Sequence, residues 1–135
     1  MTQDPHFQQL VSTARGQPEP HRLLFVFAAA ELPADATPAQ RDRFERGEGG
    51  ALSPLMCVDK APEELPDFAT LAEESRRAGP PWRVVFAAGL SGRNGQPPAR
   101  AEIDQALQIM VESIRDGGFG RFAAYDEGGK PVLFE

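Results

Sequence analysis

The sequence predicts an α/β (or α+β) protein, a single mixed sheet of four to five strands with helices packed on it. Three observations carry this. Two apolar runs, HRLLFVFAAAELP at residues 21–33 and WRVVFAAGLSG at residues 82–92, are rich in Phe, Val and Leu and read as central strands covered on both faces. Amphipathic helical stripes alternate with the strand-like runs, and thirteen Gly and thirteen Pro mark the breaks between them. A length of 135 residues fits one domain, residues 1–135, large enough to bury its own core.

The chain opens with a helix. Asp4 is placed to cap it, Pro5 suits its first position, and Phe7, Leu10, Val11 and Ala14 form an i, i+3, i+4, i+7 stripe ending at Gly16. The first strand follows over residues 22–30 and stops before Pro33. Thr37 and Gln40 have the spacing of a capping box. The helix they open, to about residue 46, is mostly polar and is expected on the surface. A second strand covers residues 51–58. Pro54 lies inside it and lacks the donor that a ladder needs, so this strand belongs at an edge or begins after Pro54. Residues 59–66 form a loop with one helical turn. Asp67 caps a third helix with the stripe Phe68, Leu71, Ala72 and Ser75, stopped by Gly79-Pro80-Pro81. A third strand spans residues 83–90. The fourth helix, residues 99–116, has the strongest apolar face, with Ile103, Leu107, Met110, Val111 and Ile114. A fourth strand covers residues 121–125, DEGGK at 126–130 signals a hairpin turn, and residues 132–134 make a short last strand.

A shift of 61 aligns Phe7, Leu10, Arg15, Pro20, Arg22 and Phe25 with Phe68, Leu71, Arg76, Pro81, Arg83 and Phe86, without a gap. This suggests two αβαβ half-repeats, about 1–61 and 62–135, each with too little sheet to stand alone. If the two central strands lie side by side, the simplest strand order is 2-1-3-4 with a pseudo-twofold, a ferredoxin-like split arrangement being the alternative. Whether the halves run parallel or antiparallel is open at this level.

Composition narrows the function classes. The formal net charge is −6 and the Arg residues are scattered among carboxylates, so no basic stripe is present to neutralise nucleic-acid phosphates. Cys57 is the single cysteine, which excludes an intramolecular disulfide and a cysteine-rich metal site. The N-terminus lacks the charged and apolar regions of a signal peptide, and no apolar run approaches the roughly 20 residues that span a bilayer. These features predict a cytoplasmic protein with no membrane or nucleic-acid partner.

Candidate binding groups come from the strand ends, where ligands of open α/β sheets usually sit. They are Glu31, Asp59 with Lys60, Ser91 with Arg93, and Asp126. Carboxylates facing an Arg and a Lys can bind a polar metabolite or share a proton; the competing reading is solubilising loop charge and capping. Arg22 and Arg83, at matching strand starts, are expected to cap helices or meet surface carboxylates. Cys57 is expected to be a buried small hydrophobe, with no helix N-terminus or His beside it to activate a thiolate. His6 and His21 have no metal-ligand spacing, and the match of His21 to Trp82 suggests a packing position. The stretch SGRNG at residues 91–95 fits neither the dinucleotide nor the P-loop pattern. No catalytic residue, cofactor or metal is therefore assigned.

LLFVFAAAELP, the Arg-Phe-Glu-x-Gly-Glu-Gly-Gly of residues 43–50, PLMCVDKAPEEL, GPPW and VVFAAGLSGR together resemble a family of short uncharacterised proteobacterial proteins. Some of these carry the label ribonucleotide reductase alpha subunit. That activity needs a thiyl-forming cysteine and a pair of electron-delivering cysteines, and a chain whose single cysteine is Cys57 cannot supply them. A second resemblance, at the level of fold, is to the N-terminal domain of SseB-like proteins. There a strand ending near Leu-Pro leads through a glycine turn into a strand like residues 52–58 and an acidic turn like residues 62–65. The sequence thus points to a small binding or regulatory module acting through protein–protein or small-ligand contacts, with homodimerisation through the C-terminal edge strand PVLFE as one expectation. The alternative is a small enzyme using the carboxylate, Arg and Lys groups at the strand ends.

Overall fold

The structure is a computed structural model and describes residues 5–31, 35–45 and 51–133. Elements alternate as the sequence predicts: α1 (Pro5–Arg15), β1 (His21–Glu31), α2 (Pro38–Glu45), β2 (Ala51–Lys60), α3 (Phe68–Ala78), β3 (Val84–Ser91), α4 (Arg100–Arg115) and β4 (Ala123–Asp126). Single 3-10 turns occupy Pro62–Glu64 and Phe119–Arg121. Two of the expected caps form as read. Thr37 N donates to Gln40 Oε1 at 2.8 Å and Gln40 N to Thr37 Oγ1 at 3.2 Å, while Asp67 Oδ1 accepts from Thr70 N at 2.8 Å. The cap assigned to Asp4 lies outside the described residues, as does Phe134 of the expected last strand.

The four strands form one open sheet in the order β2-β1-β3-β4. This is the order expected, with β1 and β3 at the centre. Every pairing is antiparallel rather than mixed. Antiparallel neighbours need no right-handed crossover, so each half contributes an adjacent strand pair, and the split alternative is not adopted. Pro54 sits in the edge strand β2 at a bulge. Phe27 pairs with Met56 and Ala28 with Pro54, leaving Leu55 as the extra residue.

Strand alternation divides the core in two. Leu23, Phe25 and Phe27 of β1, Val85 and Ala87 of β3 and Tyr125 of β4 face α1 and α3, where they meet Phe7, Val11, Phe68 and Leu71. Leu24, Val26 and Ala28, with Phe86 and Ala124, face α4 and its stripe Ile103, Leu107, Met110 and Ile114. Phe7 stands edge-on to Phe68 at 5.2 Å and to Tyr125 at 5.5 Å, while Phe86 stacks on Phe119 at 5.9 Å. The described α2 side chains are exposed; that of Phe44 lies outside the description.

The structure does not confirm the repeat. Phe7 and Phe68 share one core face, as the alignment requires, but Phe25 and Phe86 point to opposite faces of the sheet. A pseudo-twofold relating adjacent antiparallel strands must keep equivalent residues on one face, so the 61-residue shift does not carry through β1 and β3.

Candidate functional site

Antiparallel pairing decides where the candidate groups fall. His21 pairs with Ser91 and Leu24 with Asp59, so the ends of β2 and β3 meet the start of β1. Glu31 pairs with Ala51 and Asp126 with Val84, at the opposite end. Asp59, Lys60, Ser91 and Arg93 are thus at one end of the sheet, and Glu31 and Asp126 at the other. A single site at all six strand ends would need neighbouring strands pointing the same way, and β1 and β3 do not.

Within the first end, alternation separates the groups again. Asp59 points to the α4 face, where its side chain is 11% exposed. Its Oδ2 accepts from Arg22 Nε at 2.7 Å and its Oδ1 from an Arg100 guanidinium nitrogen at 2.9 Å. Arg100 also reaches Asp104, one helical turn on, at 2.8 Å, and Arg22 lies 3.4 Å from Glu64. Lys60, the next residue, points to the other face and pairs with Glu74 of α3 at 2.8 Å. Arg93 pairs with Glu102 at the start of α4. Ser91 Oγ donates to the Gly92 carbonyl at 3.0 Å. At the far end, Asp126 Oδ1 accepts from Gly128 N at 2.9 Å and Lys130 N at 3.0 Å, which fixes the hairpin turn. Glu31 closes β1; its side chain lies outside the description.

These pairings set the electrostatics. Burial alone would raise the Asp59 carboxyl pKa, but the hydrogen bonds and charges of Arg100 and Arg22 outweigh it and hold the group below the usual carboxylate range. Asp59 is therefore ionised near neutrality with both oxygens occupied, neither a proton donor nor a free base. The Glu102 carboxyl is lowered by the Arg93 hydrogen bond and by the backbone N–H of Ala99. Arg22 and Arg83 meet carboxylates as expected, Arg83 through Glu127 at 3.1 Å. Arg100, Asp104 and Glu74 were not singled out in the sequence. Arg100 and Asp104 have the i,i+4 spacing of a helical ion pair, which was the available signal; the reach of Arg100 to Asp59 had none.

Cys57 is exposed, which corrects the buried reading. It pairs with Val26 and so lies on the α4 face of β2, an edge strand that α4 covers only in part. With Asp104, Leu107, Val111 and Arg115 it lines a shallow groove of 310 Å³. Partial burial, then the Asp59 and Asp104 charges, push its thiol pKa up. A second groove, of 400 Å³, runs between α1 and the β4 hairpin and is lined by His6, Gln9, Leu10 and Thr13 on the α1 side and by Phe122, Val132 and Leu133 on the other. None of the six sequence candidates lines either groove. Trp82 fills a core position between α3 and the sheet, whereas His21 is half-buried and its Nδ1 lies 3.0 Å from the Glu19 carbonyl, so the two do not share a packing role. Among the described residues, no group of three or more His, Cys, Asp and Glu could hold a metal ion, and no helix is long and apolar enough to cross a membrane. No protein-family model, curated protein or solved structure matches the chain.

Proposed function

We propose that this chain is a small cytoplasmic binding or regulatory module that works through protein–protein contact at its C-terminal edge, with a second copy of the chain as the occupant. The observation that carries the reading is Leu133, 91% exposed, at the groove of 400 Å³ between α1 and the β4 hairpin, where Leu10, Phe122 and Val132 stand beside the polar side chains of Gln9 and Thr13. A knob and a groove on one patch are what a two-fold interface requires, because each copy then inserts its Leu133 into the other's groove. The sheet edge at this place is lightly covered. Beyond β4, among the described residues, come the Tyr125–Pro131 bridge and the hydrogen bond from Val132 N to the Ala124 carbonyl at 2.9 Å.

Two further features support a binding module over an enzyme. The polar candidates are split between the two ends of the sheet, and those with described side chains are engaged within the fold rather than facing a shared cleft. The exposed free thiol of Cys57 suits a reducing, cytoplasmic compartment. Sedimentation equilibrium over a wide concentration range tests the reading: a dimer is expected, and Leu133→Asp should shift it to monomer without lowering the melting temperature of the fold. A monomer at high concentration, or a dimer indifferent to Leu133→Asp, overturns it.

A further inference from the structure

The loop from β3 to α4 contains a tight turn at residues 93–96, closed by Arg93 N to the Gln96 carbonyl at 3.0 Å and by Gln96 N to the Arg93 carbonyl at 2.9 Å. Its two central residues, Asn94 and Gly95, have φ of 54° and 75°, the left-handed pair that an Asn-Gly turn adopts. Both are exposed, and Asn94 is the only asparagine in the chain. The Gly95 backbone N–H does not point to open water. It donates to Glu19 Oε2 at 3.0 Å, across 76 residues of sequence.

We infer that Asn94 is a deamidation site and that Glu19 is the brake that sets its rate. The chemistry needs only water and base. The Gly95 backbone nitrogen gives up its proton to solvent base and attacks the Asn94 side-chain carbonyl carbon. The new N–C bond forms, the C–NH2 bond breaks with protonation of the leaving nitrogen, and ammonia departs to leave a cyclic imide. Water then opens the ring at one carbonyl or the other, giving aspartate or isoaspartate at position 94. Glycine at position 95 permits this because no side chain obstructs the attacking nitrogen. Glu19 opposes the first step twice. Its hydrogen bond ties up the proton that must leave, and its negative charge disfavours a second negative charge on the nitrogen beside it.

Conversion would be felt in the fold. A new carboxylate at position 94 adds a negative charge beside Gly95, whose N–H already donates to Glu19, and next in sequence to Arg93, which pairs with Glu102. An isoaspartyl link adds a backbone atom to a turn with no slack, since Gly92 is packed so closely that a Cβ there would fall 1.9 Å from the Gln96 carbonyl oxygen.

The test is peptide mapping by mass spectrometry during incubation at mildly alkaline pH. It compares the full chain, its Glu19→Ala and Glu19→Gln variants, and a free Arg-Asn-Gly-Gln peptide. Conversion at position 94 is expected to be slowest in the wild type and at least severalfold faster in Glu19→Ala. Glu19→Gln, which keeps an acceptor but not the charge, should fall between. Loss of Gly95 N–H protection in Glu19→Ala, read by hydrogen exchange, should accompany the faster rate. A wild type that converts as fast as the free peptide overturns the inference. So does an equal rate in wild type and Glu19→Ala, or an Asn94 that stays intact in Glu19→Ala while the peptide converts.

Discussion

The indole Nε1–H of Trp82 donates to Ser75 Oγ at 2.7 Å in the core between α3 and the sheet, and that hydroxyl in turn donates a hydrogen bond to the Ala72 carbonyl at 2.6 Å. Ser75 is 4% exposed and Trp82 3%. The pair lets a large aromatic residue fill the space beside Phe27, 5.0 Å away, without leaving its one donor unsatisfied.

Ser75→Ala removes the acceptor and leaves the indole N–H buried without its partner, which should cost about 1–3 kcal/mol. Trp82→Phe removes the donor and opens a cavity. In the double variant the orphaned donor no longer exists, so the combined loss should be smaller than the sum of the single losses. Urea denaturation of the four proteins measures this, and strict additivity would show that the hydrogen bond contributes nothing.

Gly92 closes the connection from β3 towards α4. A Cβ built there would lie 1.9 Å from the Gln96 carbonyl oxygen and 2.9 Å from that of Pro20, both backbone atoms that cannot rotate away. Gly92 N also donates to the Pro20 carbonyl at 2.8 Å. Gly92→Ala must therefore break the 93–96 turn or the tie to residue 20, and should cost about 2–3 kcal/mol. Gly95→Ala meets open space but keeps a φ of 75°, and should cost about 1–2 kcal/mol for that strain alone. Thermal melts that rank the two in the reverse order would contradict the packing argument.

Asp59 should give the fold an acid-sensitive component. Its folded pKa is depressed below the unfolded one, because the Arg100 and Arg22 hydrogen bonds overcome the effect of burial. A group of this sign contributes stability that is complete above the unfolded pKa and lost as pH falls through the folded pKa. Asp59→Asn should lower the melting temperature at neutral pH, with the gap to wild type closing in acid below the ordinary carboxylate range. Melting curves across that range decide it; a gap that persists unchanged in acid would mean that the charge at Asp59 is not the source.

Much of the architecture was legible because it depends on local chemistry. Thr37 with Gln40, and Asp67 with Thr70, are caps that spacing alone identifies. Pro54 pointed to an edge strand or to a strand beginning after it, and the structure puts it inside an edge strand, at a bulge. The strand order followed from two apolar runs that both needed covering on two faces. What sequence could not supply was direction. An antiparallel β1–β3 pair sends Glu31 and Ser91 to opposite ends of the sheet, and no residue at either end records that choice. Long-range partners were equally silent: Glu19 with Gly95 and Arg100 with Asp59 meet only after folding. Cys57 is exposed because a residue on an edge strand has a partner strand on one side only, and Pro54 had left open whether its strand lay at an edge or began after it.

The exposure of Cys57 leads to a kinetic expectation of its own. The thiol is open to reagents in the folded protein, yet its pKa is raised by partial burial, then by the nearby charges of Asp59 and Asp104. The thiolate is the reacting species, so accessibility and reactivity pull in opposite directions. A disulfide reagent should label the native chain to one equivalent without denaturant, more slowly than it labels a free thiol, and with a rate that keeps rising above the pH where an ordinary cysteine has levelled off. Asp104→Asn removes one of the opposing charges and should quicken labelling at neutral pH and move the profile down. It leaves Arg100 still paired with Asp59. Labelling that requires denaturant would restore the buried position, and a rate equal to that of a free thiol would remove the electrostatic brake.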